Sequence, residues 1–374
     1  MAIEEILNYA VEKEASDIHL TVGRPRSVRL HGEIMGMDDS VLKPEDTAAL
    51  LKEITSEEQR KRIEEVGGID FGFSYSEKAR FRVSAFKQKG TYAMVLRLLP
   101  SRFYTFEQIG LPPQIREILS RPRGLILVTG PTGSGKTTSL ATMLNYINEN
   151  YAKHIITAED PIEFMYPHKK SIVTQREVGE DVPSFSEAVI KALRQDPDVI
   201  LIGEMRDIAT MESAIRAAET GHLVFSTLHT TGAARTVDRI IDVFSAAQQQ
   251  QIRIQLSATI VAVISQTLLP RIDGKGGRIC AFEIMFVTPA IRNLIREGKT
   301  YQVVSEIQTG ARYGMRALDD HLKEMYQAGI ISYDSMIDAA QDPRELAERA
   351  AKPAAASGAK PGAAPAKPAA PVKK

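Results

Sequence analysis

The stretch VTGPTGSGKTTSL, residues 128–140, holds the residues whose types and spacing do the plainest chemistry. Gly130, Gly135, Lys136 and Thr137 fit the pattern G-x-x-x-x-G-K-[ST], with Pro131, Thr132, Gly133 and Ser134 between them and Thr138 following. Glycines let backbone N–H groups close around phosphate oxygens without Cβ clashes. Lys136 neutralises β- and γ-phosphate charge, Thr137 has a hydroxyl to give to Mg²⁺, and the N-terminus of the next helix adds partial positive charge. Such a loop binds a nucleoside triphosphate; the ligands expected are ATP and Mg²⁺.

Carboxylates recur after apolar runs. DVILIGEMRD reads as a buried strand ending in Glu204. At the carboxyl edge of a doubly wound sheet, where ligands bind, such an acid either polarises water or holds a metal through its water shell. The plainer alternative is an exposed loop acid. HIITAEDPIEF repeats the theme with Glu159, Asp160 and Glu163 as further acids, of which Glu163 is the favoured second base. ETGHLVFSTLHT carries His222 and His229. If the segment between is extended, seven steps of about 3.3 Å put the two roughly 23 Å apart, too far to share a metal. His229, at the carboxyl end and between hydroxyls, is placed to sense a γ-phosphate; His222, at the other end, fits a turn brace or a subunit contact.

Three arginines stand apart from these motifs. ARFRVSAF and TYAMVLRLL alternate strictly around KQKG and read as a β-hairpin. With Gln88 and Lys89 at the tip, Arg80 lies opposite Arg97, Arg82 is diagonal to it, and all three share a face. Guanidiniums on a rigid sheet suit a phosphate supplied by another molecule, and a donated arginine is worth about 10³–10⁵ in rate. The expectation is that Arg82 and Arg97 reach a neighbouring subunit's nucleotide. A solvated polar face opposing Phe81, Val83 and Ala85 is the alternative.

These residues need two folded units to hold them, and 374 residues suffice. Lys plus Arg and Asp plus Glu balance at 47 each, so no global charge recruits nucleic acid or membrane. The single cysteine, Cys280, excludes a disulfide framework and a zinc ribbon and suits a reducing cytoplasm. The acidic, amphipathic MAIEEILNYAVEKEASD is wrong for a signal peptide. Apolar runs such as ATIVAVI are far shorter than the roughly 20 residues of a membrane helix. The sequence predicts a soluble or at most peripheral protein.

Residues 1–100 read as an α+β domain. Ile3, Ile6, Leu7, Ala10 and Val11 mark a helix; RSVRLHGEIM and DFGFSY look like strands; KPEDTAALLKEI and TSEEQRKRIEEV look like helices starting near Pro44 and Ser56. Proline-rich LPSRFYTFEQIGLPPQ suggests a linker over 101–122. From 123 to 288, LILVT, HIIT, VILIG and HLVFSTL alternate with helical stretches, which predicts a parallel sheet covered on both faces. A helix and a hairpin through RIDGKGGRI follow residue 255, and helices fill 289–349. The Ala/Pro/Lys stretch 350–374 cannot bury a core and reads as disordered.

The segments GPTGSGKTT, AEDPIE, ILIGEMRD and AAETGHLVFSTLHT resemble, in order and spacing, the Walker A, Asp-box, Walker B and His-box motifs of secretion-type hexameric ATPases. The resemblance covers some 350 residues. It implies a small PAS-like N-terminal domain, a RecA-like P-loop core and a helical C-terminal subdomain. It puts Glu204 in the place of the Walker B catalytic glutamate, Glu163 in the Asp box, His222 and His229 in the His box, and Arg82 and Arg97 among arginines offered to nucleotide. Within the family the chain is similar to the branch that retracts type IV pili. The first domain begins near residue 1, the tetracysteine zinc site of the assembly motors cannot exist, and AIRNLIRE matches a signature linked to retraction. That signature comprises Ala290, Ile291, Arg292, Asn293, Leu294, Ile295, Arg296 and Glu297, with Ile291, Leu294 and Ile295 on one helical face and Arg292 and Arg296 on another.

The resemblance implies a hexameric ring at the cytoplasmic face of the inner membrane. Its partners would be a membrane-embedded pilus platform, pilin indirectly, and a paralogous motor. Alternatives are an assembly or type II secretion ATPase, a nucleic-acid translocase and a non-hydrolysing scaffold. Neutral net charge and the lack of a basic, aromatic-studded stripe argue against nucleic acid, and Lys136, Thr137 and Glu204 together argue against a scaffold.

Overall fold

The computed structural model describes residues 2–30, 32–75, 79–99 and 102–351. Helix α1 (Ile3–Glu12) buries Ile3, Ile6, Leu7 and Ala10 along one stripe. Strands β1 (Asp17–Leu20), β2 (Pro25–Leu30) and β3 (Glu33–Val41), helices α2 (Pro44–Ile54) and α3 (Glu57–Val66), and strands β4 (Gly68–Tyr75), β5 (Ala79–Gln88) and β6 (Thr91–Leu98) follow. The strands form one antiparallel sheet in the order β3-β2-β1-β6-β5-β4. On β5, Ala79, Phe81, Val83 and Ala85 are buried with Ile6, Leu7, Leu50 and Leu51 from α1 and α2. Arg80 and Arg82 take the other face, as alternation requires. Ser56 starts α3 by accepting from the Gln59 N–H at 3.1 Å, while the Gln59 side chain accepts from the Ser56 N–H at 3.0 Å.

Two sequence expectations fail in this region. RSVRLHGEIM is not one strand: β2 and β3 turn back around Gly32, at φ +92°. A tight reversal needs a residue at ease in the left-handed region, and glycine supplies it. In the β5–β6 hairpin Gln88 pairs with Thr91, so the tip is Lys89–Gly90, at φ +48° and +77°. Positive φ at both central residues gives a two-residue turn whose twist matches that of the strands. Arg82, rather than Arg80, therefore lies opposite Arg97. Strand β1 went unread because DIHL is too short to show a period.

The second sheet begins with β7 (Gly124–Thr129), followed by the phosphate loop and α6 (Lys136–Asn150). Then come β8 (His154–Glu159), β9 (Ile172–Glu177), α7 (Phe185–Ala192), β10 (Val199–Ile202), α8 (Ile208–Glu219), β11 (Leu223–Leu228), α9 (Ala233–Asp242), α10 (Ala246–Thr259), β12 (Ile260–Pro270) and β13 (Arg278–Phe286). The order is β13-β12-β7-β11-β10-β8-β9, parallel except for β13. Every residue of β7, β10 and β11 is buried, as a sheet with two covered faces demands. Ile126 and Val128 meet Leu140, Met143 and Leu144 of α6, while Leu125 and Leu127 meet the side holding Val189, Met211, Ile215 and Val237.

The stretch read as a linker carries two short helices, Phe106–Ile109 and Ile115–Leu119. Phe106, Ile115, Ile118 and Leu119 are buried with Leu140 and Leu144, so this segment is part of the core's packing. After β13 come helices Pro289–Arg296, Val303–Thr309, Leu318–Gln327, Tyr333–Ala339 and Pro343–Ala351. Leu318, Leu322, Met325, Met336 and Leu346 close a small cluster against Leu269 and Ala281. The last helix runs two residues into the stretch read as a disordered tail; the rest of that reading, 352–374, lies outside the described residues. Among the described residues no helix is long and apolar enough to cross a membrane.

Candidate active site

The parallel sheet gathers four motifs along one edge. β7, β11, β10 and β8 are successive neighbours, and all four end there. They are followed respectively by the phosphate loop, by His229, by Gly203–Glu204 and by Asp160 through Glu163. Because β11 lies between β7 and β10, His229 stands between the loop and Glu204. Its Nδ1 is 3.4 Å from Thr132 Oγ1 and its Nε2 is 3.5 Å from Glu204 Oε2.

Within the loop, Gly133 and Gly135 adopt φ of +77° and +89°, a conformation in which other residues are strained. Lys136 Nζ donates to the carbonyls of Gly130 at 2.9 Å and Pro131 at 3.0 Å, which holds the ammonium over the loop. Burial pushes the Lys136 pKa down, and the charges of Glu204 and Glu163 oppose that shift. Both acids therefore act on the space around the ammonium. The hydroxyls of Thr129 and Ser134 are buried without a protein partner. Positive-φ glycines, a centred ammonium and a helix N-terminus at Lys136 fit a polyphosphate. Among the described residues no group of three or more His, Cys, Asp or Glu is placed to hold a metal by itself. Mg²⁺ commonly binds through one or two protein oxygens plus nucleotide phosphates and water, so the half-exposed Thr137 beside the loop is the fitting protein ligand.

The carboxylates now separate by environment. The Glu204 side chain is only 17 % exposed and meets Arg206 Nε at 2.8 Å. Glu159 is buried, accepts from the Thr157 hydroxyl at 2.7 Å and Gln175 Nε2 at 3.1 Å, and is pushed up by burial to about 7. Asp160 is also raised, by burial first and then by the Glu204 charge, while Arg82 pulls it down. Glu163 is half-buried and, unlike Glu159, acts on the Lys136 ammonium.

The arginines divide as well. Arg80 turns to its own chain: it pairs with Glu177 and donates from Nε to the Ile162 carbonyl at 3.2 Å. Arg97 pairs with Asp17 at 2.9 Å yet leaves its side chain 65 % exposed. The Arg82 charge acts on Asp160 of its own chain, lowering its carboxyl pKa against the effect of burial. The trio shares a face, but one member is committed to holding the two sheets together.

His222 accepts no role at this edge. It lies at the opposite end of β11, its Nδ1 3.0 Å from the Ala217 carbonyl, where it braces the turn after α8. The segment 290–297 forms most of helix Pro289–Arg296, with Ile291 and Ile295 buried, Leu294 partly buried, and Ala290, Arg292, Asn293, Arg296 and Glu297 exposed. Arg292 Nε reaches the Ser257 carbonyl at 3.1 Å, tying this helix to α10.

Sequence reasoning missed Gln266, Glu177 and Asp17. Gln266 is buried on β12, and its Nε2 donates to the Ser134 carbonyl at 2.7 Å. Its only local trace is one amide inside the apolar run VAVISQTLLP. Glu177 and Asp17 owe their partners to pairing across distant sequence, which leaves no local pattern.

Residues 1–338 match the family model described as Type II/IV secretion system protein. The chain is 48 % identical over 346 residues, 92 % of this chain and all of the relative, to a Pseudomonas aeruginosa protein named "Type IV pilus retractation ATPase PilT". It is 46 % identical over 85 % of both chains to a Neisseria gonorrhoeae protein named "Twitching motility protein". Among solved structures it superposes with TM-score 0.87 at 49 % identity, over 93 % of this chain and 99 % of the other, on one titled "Crystal Structure of the Pilus Retraction Motor PilT and Bound ADP".

Proposed function

This chain belongs to the Type II/IV secretion system protein family, and from that membership we propose that it is the ATPase motor that retracts type IV pili. It binds nucleotide and hydrolyses ATP to ADP and phosphate, as its similarity to retraction ATPases over nearly the whole chain supports.

The observation that carries the reading is that His229 joins the phosphate loop, at Thr132, to Glu204 across adjacent strand ends. In the proposed division of work, loop amides from Thr132 to Thr138 and the Lys136 ammonium hold the β- and γ-phosphates. Mg²⁺, held by Thr137 and by water near Glu204, would neutralise charge on the transferred phosphoryl group. Glu204 takes a proton from the attacking water, with Glu163 as the alternative base. His229 links the loop, through Thr132, to Glu204, so a change at the γ-phosphate reaches the base directly. Arg82 and Arg97 add guanidinium charge from the first sheet.

Hydrolysis would then change how the core meets the next subunit's first domain. In a homo-oligomeric ring, proposed to be a hexamer, that change would pass between subunits and turn a membrane-embedded platform at the cytoplasmic face of the inner membrane. Pilin would leave the fibre base. The decisive experiment is deletion of the gene: cells that overproduce surface fibres and cannot twitch support retraction, and bald cells point to assembly.

A further inference from the structure

The phosphate loop is braced from the strand beside β7. β12 pairs with β7 on the side away from β11, and Gln266 on it is 3 % exposed. Its amide Nε2 donates to the Ser134 carbonyl at 2.7 Å, across 132 residues of sequence. The contact is close along its length. A Cβ at Gly130 would collide with the Gln266 carbonyl, and one at Gly135 would come within 3.3 Å of Gln266 Nε2. Glycine at both positions thus serves the approach to β12 as well as the approach to phosphate.

A trans peptide points its C=O and N–H in opposite directions. Holding the Ser134 carbonyl against β12 therefore aims the Gly135 N–H away from β12, toward the inside of the loop. The preceding residue does a parallel job on the other face: Ser265 Oγ accepts from the Gly232 N–H at 2.9 Å, just after His229. Two consecutive side chains of one strand, pointing opposite ways, thus grip the phosphate loop and the segment that carries His229.

We propose that Gln266 is a positioning residue for nucleotide binding, its side-chain N–H fixing the 134–135 peptide so that the Gly135 N–H faces the β-phosphate. The role rests on the loop being the nucleotide site. Gln266 touches no phosphate itself. Its effect falls equally on bound ATP, bound ADP and the transition state, because all contain the β-phosphate.

Gln266→Met keeps length and loses the donor; Gln266→Glu keeps size and sets a carboxylate against the carbonyl. For Gln266→Met the dissociation constant for ADP and the KM for ATP should both rise about five- to twentyfold, the range for one buried hydrogen bond. kcat should fall far less than kcat/KM, the signature of lost uniform binding. Gln266→Glu should weaken ADP binding more. A general packing defect would instead lower kcat with KM unchanged, and that result overturns the proposal, as does wild-type ADP affinity in either soluble variant. Lys136→Ala, measured alongside, separates the two readings. Lost ADP binding there with wild-type binding in Gln266→Met sinks the bracing role alone; wild-type binding in both sinks the nucleotide site too.

Discussion

Arg80 on β5 and Glu177 on β9 form an ion pair that joins the two sheets of the molecule. Their side chains are only 14 % and 7 % exposed. The pair is completed by backbone. Glu177 accepts from the N–H of Gly72 at 3.0 Å and of Ile162 at 3.2 Å, while Arg80 gives its Nε to the Ile162 carbonyl at 3.2 Å. A Cβ at Gly72 would meet the Arg80 guanidinium and the Glu177 carboxylate, so a side chain there would have to push the pair aside. The Asp-box loop that carries Glu163 is thereby fastened to the first sheet.

Removing one partner of this pair leaves a buried charge. Arg80→Ala should destabilise the protein by about 3–5 kcal/mol, and an Arg80→Leu/Glu177→Leu double variant should lose less than the two single changes summed. Denaturant or thermal unfolding reads both. A melting temperature for Arg80→Ala equal to wild type would show that the pair does not hold the sheets.

Glu204→Gln keeps shape and loses the base. We expect kcat for phosphate release to fall by about 10²–10⁴, with ADP affinity changed by less than about threefold. Turnover that survives the change would move the base to Glu163.

His229→Ala cuts the link between Thr132 and Glu204. The expected outcome is a fall of about tenfold or more in kcat with little change in ADP binding, since His229 meets Glu204 and, in the loop, the Thr132 hydroxyl. A rise in KM alone would assign His229 to ground-state binding.

Arg82 shares a face of β5 with Arg80, and its charge acts on Asp160 of its own chain. Mixed assemblies of Arg82→Ala and Lys136→Ala subunits tell the routes apart. An arginine acting across subunits would serve the intact loop of a neighbour and restore turnover. Recovery, the outcome we expect, would send Arg82 to a neighbour's nucleotide; none would confine it to its own chain.

Glu159 makes stability depend on pH. Its carboxyl is raised by burial from 4.5 to about 7. Between those values the folded chain holds a proton that the unfolded chain has released, so stability falls as pH rises through the window and the loss is complete above it. Glu159→Gln should therefore gain a few degrees in melting temperature over wild type near pH 8.5, and much less near pH 5. A difference independent of pH would contradict the assignment.

Much of the site was legible because its chemistry is local. The phosphate loop compresses its glycines, lysine and threonine into eight residues, and the continuous apolar runs before Glu204 and His229 announce strands buried on both faces. Register was less legible. Whether Lys89 is the first or the second central residue of its turn moves every facing pair by two, and the outcome depends on Gly90 accepting positive φ.

By itself the sequence determined the phosphate loop, the acids and histidine that follow the strands, and the alternation of α and β that makes a parallel sheet. Those follow from short-range sterics and from periodic burial, which any window of a dozen residues records. Only the tertiary structure decided that β11 lies between β7 and β10, so that His229 bridges Thr132 and Glu204. It alone took Arg80 out of the trio to pair with Glu177, and set Gln266 beneath Ser134. Strand order and contacts across 97 or 132 residues arise from how whole faces pack, and no local pattern encodes them.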